Sequence, residues 1–533
     1  MMPHLVYSTG EASVYTIDLI LSCTHVLIIL LSTQQQVRWT SGTFVVGCVS
    51  KLQYILQTYI DRLKHILVYL GGRICQDIGW NDWGPIDLGA EYIHGSNTIA
   101  YKLAMEQGWP LSRSVYSYGT IQSDTPDSSS SDSSSITYQD CLYYDGRIIP
   151  FSEFSSWSDS REALHFYEKI ISIYESGQRI KSKEDISLRK FLRDEGASEG
   201  VVSIYQAILC QEVSTRIDNC SLFEISRRIN NRTNGIGNYR IQGSFAVLLD
   251  YYLKQIGETC VKLNWQAVRI QYQSSAAQDC PRVTVTSQNG DTLDSDCVVI
   301  TVPITVLRDG DISFIPPLPQ AKIQAARNIC MEPVYKIICR FQTVFWPHDL
   351  GIMTCCDGFV SHVHQDCRYE RYSSSSTQLA VDTSVKKMSR KENLDSSGCF
   401  MLSGFQSCGP AADKEGMSAE EMVKGFLRQL DEIFGDETGR KGSRTPASDS
   451  YMGSIVKHWS NEPFIRGSYT GSALNSTQWD YRHLAKPVDG CLFFAGESTC
   501  VTSPATVDSA LRAGERASQE VIYELQKHDL QGP

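Results

Sequence analysis

The sequence predicts an α/β core with an α+β portion added to it, and three observations carry that prediction. Short β-rich runs, Cys260 to Ile270, Arg282 to Thr286 and Cys297 to Val302, alternate with helical runs such as Ser244 to Gln255 and Ala505 to Leu525. The stretch Val298-Val299-Ile300-Thr301-Val302-Pro303 is apolar apart from Thr301 and ends in proline, the pattern of a strand buried on both faces of a parallel sheet. Finally, 533 residues, 42% of them hydrophobic, exceed what one core organises, so two sequential or interleaved domains are expected.

Taken in order, the first landmark is the run from Ile17 to Leu31, apolar apart from Asp18, Ser22, Cys23, Thr24 and His25. It is shorter and more polar than a membrane span, and no basic flank precedes it as in a signal peptide. A buried strand or helix is expected there, and no membrane partner. Ser123 to Ser135 and Ser373 to Asn393 are dominated by polar residues and read as disordered surface insertions. Met331 to Pro347 alternates apolar residues as a strand ending at Phe345-Trp346-Pro347. It carries Lys336 facing inward, which is costly unless the ammonium is paired or wet. The run Ala419 to Phe434 reads as a helix, and the polar stretch Gly435 to Ser450 separates it from a later strand region.

The formal net charge of −11 argues against a nucleic-acid partner, which would need a basic face, and suits a cationic small substrate. The eighteen cysteines are scattered without a CxxC pair, as reduced thiols of a cytoplasmic protein would be. His362, His364 and Cys367 have metal-ligand chemistry but sit in a polar stretch without a second ligand group, so a solvated loop and no metal site are expected.

Five stretches carry a family resemblance. Gly490 to Ser518, GCLFFAGESTCVTSPATVDSALRAGERAS, reads as an apolar strand, an acidic turn and a helix opened by Pro-Ala-Thr-Val. The others are GGRI at Gly71 to Ile74, DLGAEYIHGS at Asp87 to Ser96, the run Tyr239 to Ile270, and HWSNEPFIRGSYTG at His458 to Gly471. Together with Met331 to Pro347 they resemble the flavin-containing amine oxidases, in particular the polyamine oxidase type that acts on spermine or acetylated polyamines. The Ile93-His94-Gly95 form points to that branch, whereas Pro504-Ala505-Thr506-Val507 resembles the lysine-specific histone demethylases.

The resemblance implies an FAD-binding Rossmann-like domain from residues 71–115, 236–302 and 453–525. This domain is interleaved with an α+β substrate-binding domain from 116–235 and 303–452, and residues 1–70 stand apart. It implies FAD as cofactor, with Gly71, Gly72 and Arg73 toward the phosphates, Gly89 and Ala90 also among the cofactor-binding residues, and Val268 at the adenine side. Trp459 would pack near the dimethylbenzene end, Gly496 and Glu497 would meet the ribityl chain, and Thr506 and Val507 would bring a helix N-terminus to the pyrimidine. It also implies Lys336 as the donor to a water facing flavin N5, His94 lining the amine channel, and Tyr469 as one wall of an aromatic cage, with Ser503 where relatives carry a second aromatic wall. Glu91 is expected to help attract a polycation. The partners implied are a polyamine and dioxygen.

The sequence departs from the family pattern in two places. Residues 1–70 contain no GxGxxG turn; Gly42 and Gly47 are too far apart, and Tyr69 and Leu70 stand where an acidic ribose contact belongs. Asp508-Ser509 replaces the usual His-Gly. Three explanations stay open: foreign sequence joined to an oxidase, a variant that holds flavin by other means, or a flavin-free remnant without catalysis.

Overall fold

The structure is a computed structural model. It describes residues 14–21, 27–34, 72–77, 85–114, 139–175, 185–231, 233–235, 237–256, 261–273, 282–356, 358–365, 400–408, 411, 413–436, 442–474 and 476–530. Gly71, Cys367 and the expected insertions at 123–135 and 373–393 lie outside the described residues.

Two strands come first, β1 (Val14–Leu21) and β2 (Leu27–Gln34), paired as an antiparallel hairpin with Val14 opposite Gln34. Next come β3 (Ile93–His94) and α1 (Ile99–Glu106). After a helical stretch the chain supplies β4 (Asn238–Ile241), β5 (Val261–Lys262), β6 (Ala267–Tyr272) and β7 (Cys297–Ile300). There follow β8 (Val334–Phe341), β9 (His362–Gln365), β10 (Phe400–Ser407), α2 (Ala419–Phe434) and β11 (Tyr451–His458). The last elements are α3 (Gln478–Ala485), β12 (Leu492–Phe494) and α4 (Val507–Leu530).

One sheet has the order β5, β1, β2, β7, β12. Its outer pairs are parallel, Leu19 with Val261 and Val298 with Leu492, but β2 runs against both of its neighbours. Every residue of β7 is buried, as its continuous apolar run requires. The apolar run near the N-terminus is thus two strands rather than one element, with its polar residues Ser22 to His25 falling between them. The expected strand from Cys260 to Ile270 is likewise two, because Asn264 adopts φ 58° between β5 and β6.

A seven-stranded sheet forms the other half: β11, β8, β10, β9, then Leu350–Cys355, Gln139–Tyr144 and Arg147–Pro150. Because β11 pairs with β8 along its length, this sheet runs to His458 and takes in the position 453 at which the cofactor domain was expected to resume. Helix α2, closed at its start by a reciprocal capping box between Ser418 and Glu421, lays Met422, Phe426 and Leu430 on the sheet. Strand β8 stops at Phe341 rather than at Phe345. The chain turns back there, so that the Phe341, Phe345 and Trp346 rings meet edge to face at 4.7 to 5.7 Å. His362 and His364 belong not to a solvated loop but to β9, an interior strand between β10 and Leu350–Cys355, and both are buried. Among the described residues no helix is long and apolar enough to cross a membrane, and the described cysteines are free thiols.

Candidate active site

The site is organised by one short stretch, Asp87 to Gly95, that leads into β3. Gly89 is pinned: an added Cβ would stand 1.9 Å from the Arg73 carbonyl oxygen and 3.1 Å from the Trp459 ring, so only glycine fits. The Ala90 amide donates to the same Arg73 carbonyl at 2.8 Å. Buried Trp459 closes the other side, its indole N–H donating to Leu88 O at 3.1 Å. Gly89, Ala90, Arg73 and Trp459 therefore form one wall.

Lys336 reaches the same stretch from β8. It is 3% exposed, and β10 and β11 flank its strand, so the ammonium points into protein. Its Nζ donates to Asp87 O at 2.6 Å and to the Glu91 carboxylate at 2.5 Å. Glu91, itself buried, also pairs with Arg240 from β4 and with Nε2 of His364 from β9 at 3.0 Å. This corrects the expectation that Glu91 attracts a polycation, since three basic groups already saturate its carboxylate. The inward lysine is affordable because it is paired.

His94 is exposed on β3, and its Nδ1 lies 2.8 Å from the Asn238 side-chain oxygen. An amide oxygen only accepts, so Nδ1 carries the proton. With Tyr92, Phe245, Thr506, Val507 and Asp508, His94 lines a cavity of about 10 Å³ at the start of α4. That helix start is capped by its own residues: Thr506 Oγ1 accepts from the Ser509 amide at 3.1 Å, and Ser509 Oγ accepts from the Thr506 amide at 3.0 Å. The Thr506 amide, expected to be free for a ring, is therefore engaged by the serine that replaces the usual glycine. Asp508 turns elsewhere, its Oδ1 accepting from the Ile99 amide at the head of α1.

The third cluster lies past the C-terminal ends of β7 and β12. Gly496 has φ 99°, and a Cβ there would meet nothing nearer than Thr301 O at 3.6 Å, so the backbone is open on that side. Buried Glu497 accepts from Arg73 Nη1 at 2.8 Å, Thr470 Oγ1 at 2.7 Å and the Ala505 amide at 3.0 Å. Arg73 Nη1 also donates to Ser468 O, and the rest of its fork has no partner among the described residues. Gly72 takes φ 63° just before it. Tyr469, between Ser468 and Thr470, donates its hydroxyl to Gln211 O at 2.8 Å, and burial pushes its phenol well above the ordinary range. Ser503 Oγ accepts from the Asn234 side-chain Nδ2 at 3.0 Å. Val268 sits at a bulge, where the pairing of β6 with 283–287 slips between Ala267 and Arg269.

Sequence reasoning missed Arg240 and His364. The signal for His364 was present, since His362 and His364 share one face of an alternating stretch, but a polar neighbourhood masked it. Arg240 leaves no local mark, because only the pairing of β4 with β3 brings it near Glu91. Among the described residues no three His, Cys, Asp or Glu side chains converge to hold a metal ion.

Among the described residues, this α/β molecule brings a buried lysine, a pinned glycine wall and an acidic turn at the strand ends into one region. The model of the family described as flavin containing amine oxidoreductase matches residues 69–522, and the chain belongs to that family. It is 26% identical to polyamine oxidase 3 of Oryza sativa subsp. japonica over 474 residues, which cover 85% of this chain and 82% of that protein. Over 242 residues, 45% of this chain and 13% of the relative, it is 29% identical to lysine-specific histone demethylase 1 homolog 3 of Arabidopsis thaliana. The fold matches cyclohexylamine oxidase from Brevibacterium oxydans IH-35A with a TM-score of 0.63 at 18% identity, covering 86% of this chain and 92% of that one. It also matches a putrescine oxidase with a TM-score of 0.64 at 16% identity, covering 85% and 91%.

Of the residues that the resemblance assigns to the ring and ribityl half of FAD, Gly496 leaves its backbone open and Glu497 offers a buried carboxylate held by three donors, whereas the Thr506 amide is engaged by Ser509. At the pyrophosphate half the unpartnered part of the Arg73 fork and Gly72 remain, but the β2 place beside β7 runs antiparallel. A strand, glycine turn and helix aimed at a phosphate are not found among the described residues.

Proposed function

We propose that this chain oxidises a secondary amine of a polyamine such as spermine, spermidine or an acetylated form, to an aldehyde and a smaller amine with release of hydrogen peroxide. The observation that carries the reading is the convergence of Lys336, Trp459 and Arg73 on Asp87 to Gly95, the stretch that itself carries His94, all residues that the polyamine oxidase resemblance singles out. Likeness to a polyamine oxidase along 85% of the chain supports it further, as does Ile93-His94-Gly95.

FAD, when bound, supplies the two-electron acceptor and passes the electrons to dioxygen. The protein's part is placement and exclusion. Glu497 is held by Arg73, Thr470 and the Ala505 amide, which fixes the turn against which the ribityl chain would lie. Lys336 presents an anchored ammonium beside the Gly89 wall and would hold a water there. His94 would accept or place the substrate amine from the exposed end of β3, and Tyr469, with its hydroxyl fixed by Gln211 O, would present its ring to the methylene chain. The reacting nitrogen has to be neutral, and desolvation against apolar and aromatic surface favours that form.

A second reading, a histone demethylase-like amine oxidase, is favoured by Pro504-Ala505-Thr506-Val507. The visible spectrum of the purified chain, with peroxide recorded on adding spermine and then a methyl-lysine peptide, tests both. A flavin band with peroxide from spermine alone is expected. Peroxide from the peptide alone selects the demethylase reading, and a colourless protein makes the chain a flavin-free remnant.

A further inference from the structure

We propose that Glu91 is the positioning residue for Lys336, fixing its ammonium relative to the Gly89 wall through a closed cluster of four side chains. The catalytic consequence rests on the reading of Lys336 above; the cluster itself does not. Glu91 is 8% exposed and Lys336 3%. One carboxylate oxygen, Oε2, accepts from Lys336 Nζ at 2.5 Å and lies 3.0 Å from His364 Nε2; the other, Oε1, pairs with Arg240 and lies 3.2 Å from the same imidazole nitrogen. The groups come from β4, β8, β9 and the stretch before β3, so no single element can carry Lys336 away from its partner.

The outer members are fixed in turn. Arg240 Nη1 donates to Gln365 O at 3.0 Å, and its guanidinium stands 5.3 Å from the centre of the Tyr92 ring. His364 meets that ring edge-on at 5.8 Å. Lysine has a long flexible stem, and a carboxylate that is itself held on both oxygens limits where the stem can end. Glu91 also lies two residues after Gly89, whose backbone is pressed against Arg73 and Trp459. The ammonium is thereby referred to the wall through a few bonds of backbone.

The cluster sets one carboxylate against two obligate or near-obligate cations. Neutralising Glu91 leaves Lys336 and Arg240 buried and facing each other, and removing Lys336 as well relieves that repulsion. The test is a melting cycle on the full-length flavin-loaded protein with Glu91→Gln, Lys336→Met, the double variant and Glu91→Asp. It is paired with the anaerobic rate of flavin bleaching by spermine. Glu91→Gln should melt several degrees lower, and the double variant should recover most of that loss. Glu91→Asp keeps the charge one methylene shorter. It should melt near the unsubstituted protein yet bleach on the order of tenfold or more slowly at saturating spermine, with little change in the half-saturating concentration. Additive melting shifts overturn the proposal, as does bleaching at the unsubstituted rate in both Glu91 variants. If the unsubstituted protein does not bleach with spermine, the polyamine reading falls and the melting cycle alone decides whether Glu91 holds Lys336.

Discussion

The two ends of the cofactor site are built on different principles. At the ring end, side chains from distant parts of the chain converge on Asp87 to Gly95 and on Glu497, and Lys336, Arg73 and Thr470 each bond to a named neighbour there. At the dinucleotide end the family relies on chain direction, a strand running into a glycine turn and a helix whose N-terminus faces the phosphates. Here β2 runs the opposite way between β1 and β7. A site made of side chains can be gathered from separate segments, whereas a site made of backbone direction needs one continuous strand, turn and helix.

Four experiments break or sharpen that contrast. The largest effect belongs to Gly89→Ala. Its Cβ overlaps the Arg73 carbonyl, so the variant should lose bound flavin altogether and melt well below the unsubstituted chain, read by absorbance and calorimetry. Glu497→Ala strands Arg73, which is about a quarter exposed, together with Thr470 and the Ala505 amide. Urea titration should show a loss of about 3 kcal/mol, with flavin released on dilution.

The third concerns His362, in the seven-stranded sheet away from the dinucleotide end. Burial, with His364 adding to it, lowers its pKa to about 3 from 6.5. The unfolded chain then binds the extra proton between those values, so this stabilising contribution is full above pH 6.5 and is lost as pH falls toward 3. The slope is at most about 1.4 kcal/mol per pH unit, and His362→Gln should flatten it in acid melting curves. The smallest effect is that of Ser509→Gly. Losing the reciprocal cap costs about 1 kcal/mol but frees the Thr506 amide, so flavin should bind more tightly even as melting falls, measured by fluorescence titration.

How much of this was legible in the sequence follows the same division. Lys336, Trp459, Gly89 and Glu497 stand in contiguous motifs, and the resemblance of those motifs to the family, rather than local pattern, singled them out. Helix α2 has the bounds its sequence run suggests, Ala419–Phe434, and the structure adds the capping box at Ser418 that fixes its start. The polar neighbourhood of His362 and His364 suggested a loop, yet sheet pairing on both sides buries them. The end of β8 was misplaced because Phe345 and Trp346 look like strand residues while packing as a turned-back aromatic cluster. Whether a strand lies parallel or antiparallel to its neighbour is decided by partners far away in sequence, and the apolar run near the N-terminus carries no mark of it.

The bond from Arg73 to Glu497 spans 424 positions, and that from Ile99 to Asp508 spans 409. The two halves of the candidate site therefore stand more than 400 positions apart, and the first stays open until the segment from Glu497 to Asp508 has been made. Contacts of such separation form slowly, since the closure entropy of a long loop comes before any reward. The amide of Ile99, shielded by the carboxylate of Asp508, would become exchange-protected only when α4 docks, and hydrogen exchange at that one position would time the closing of the whole molecule.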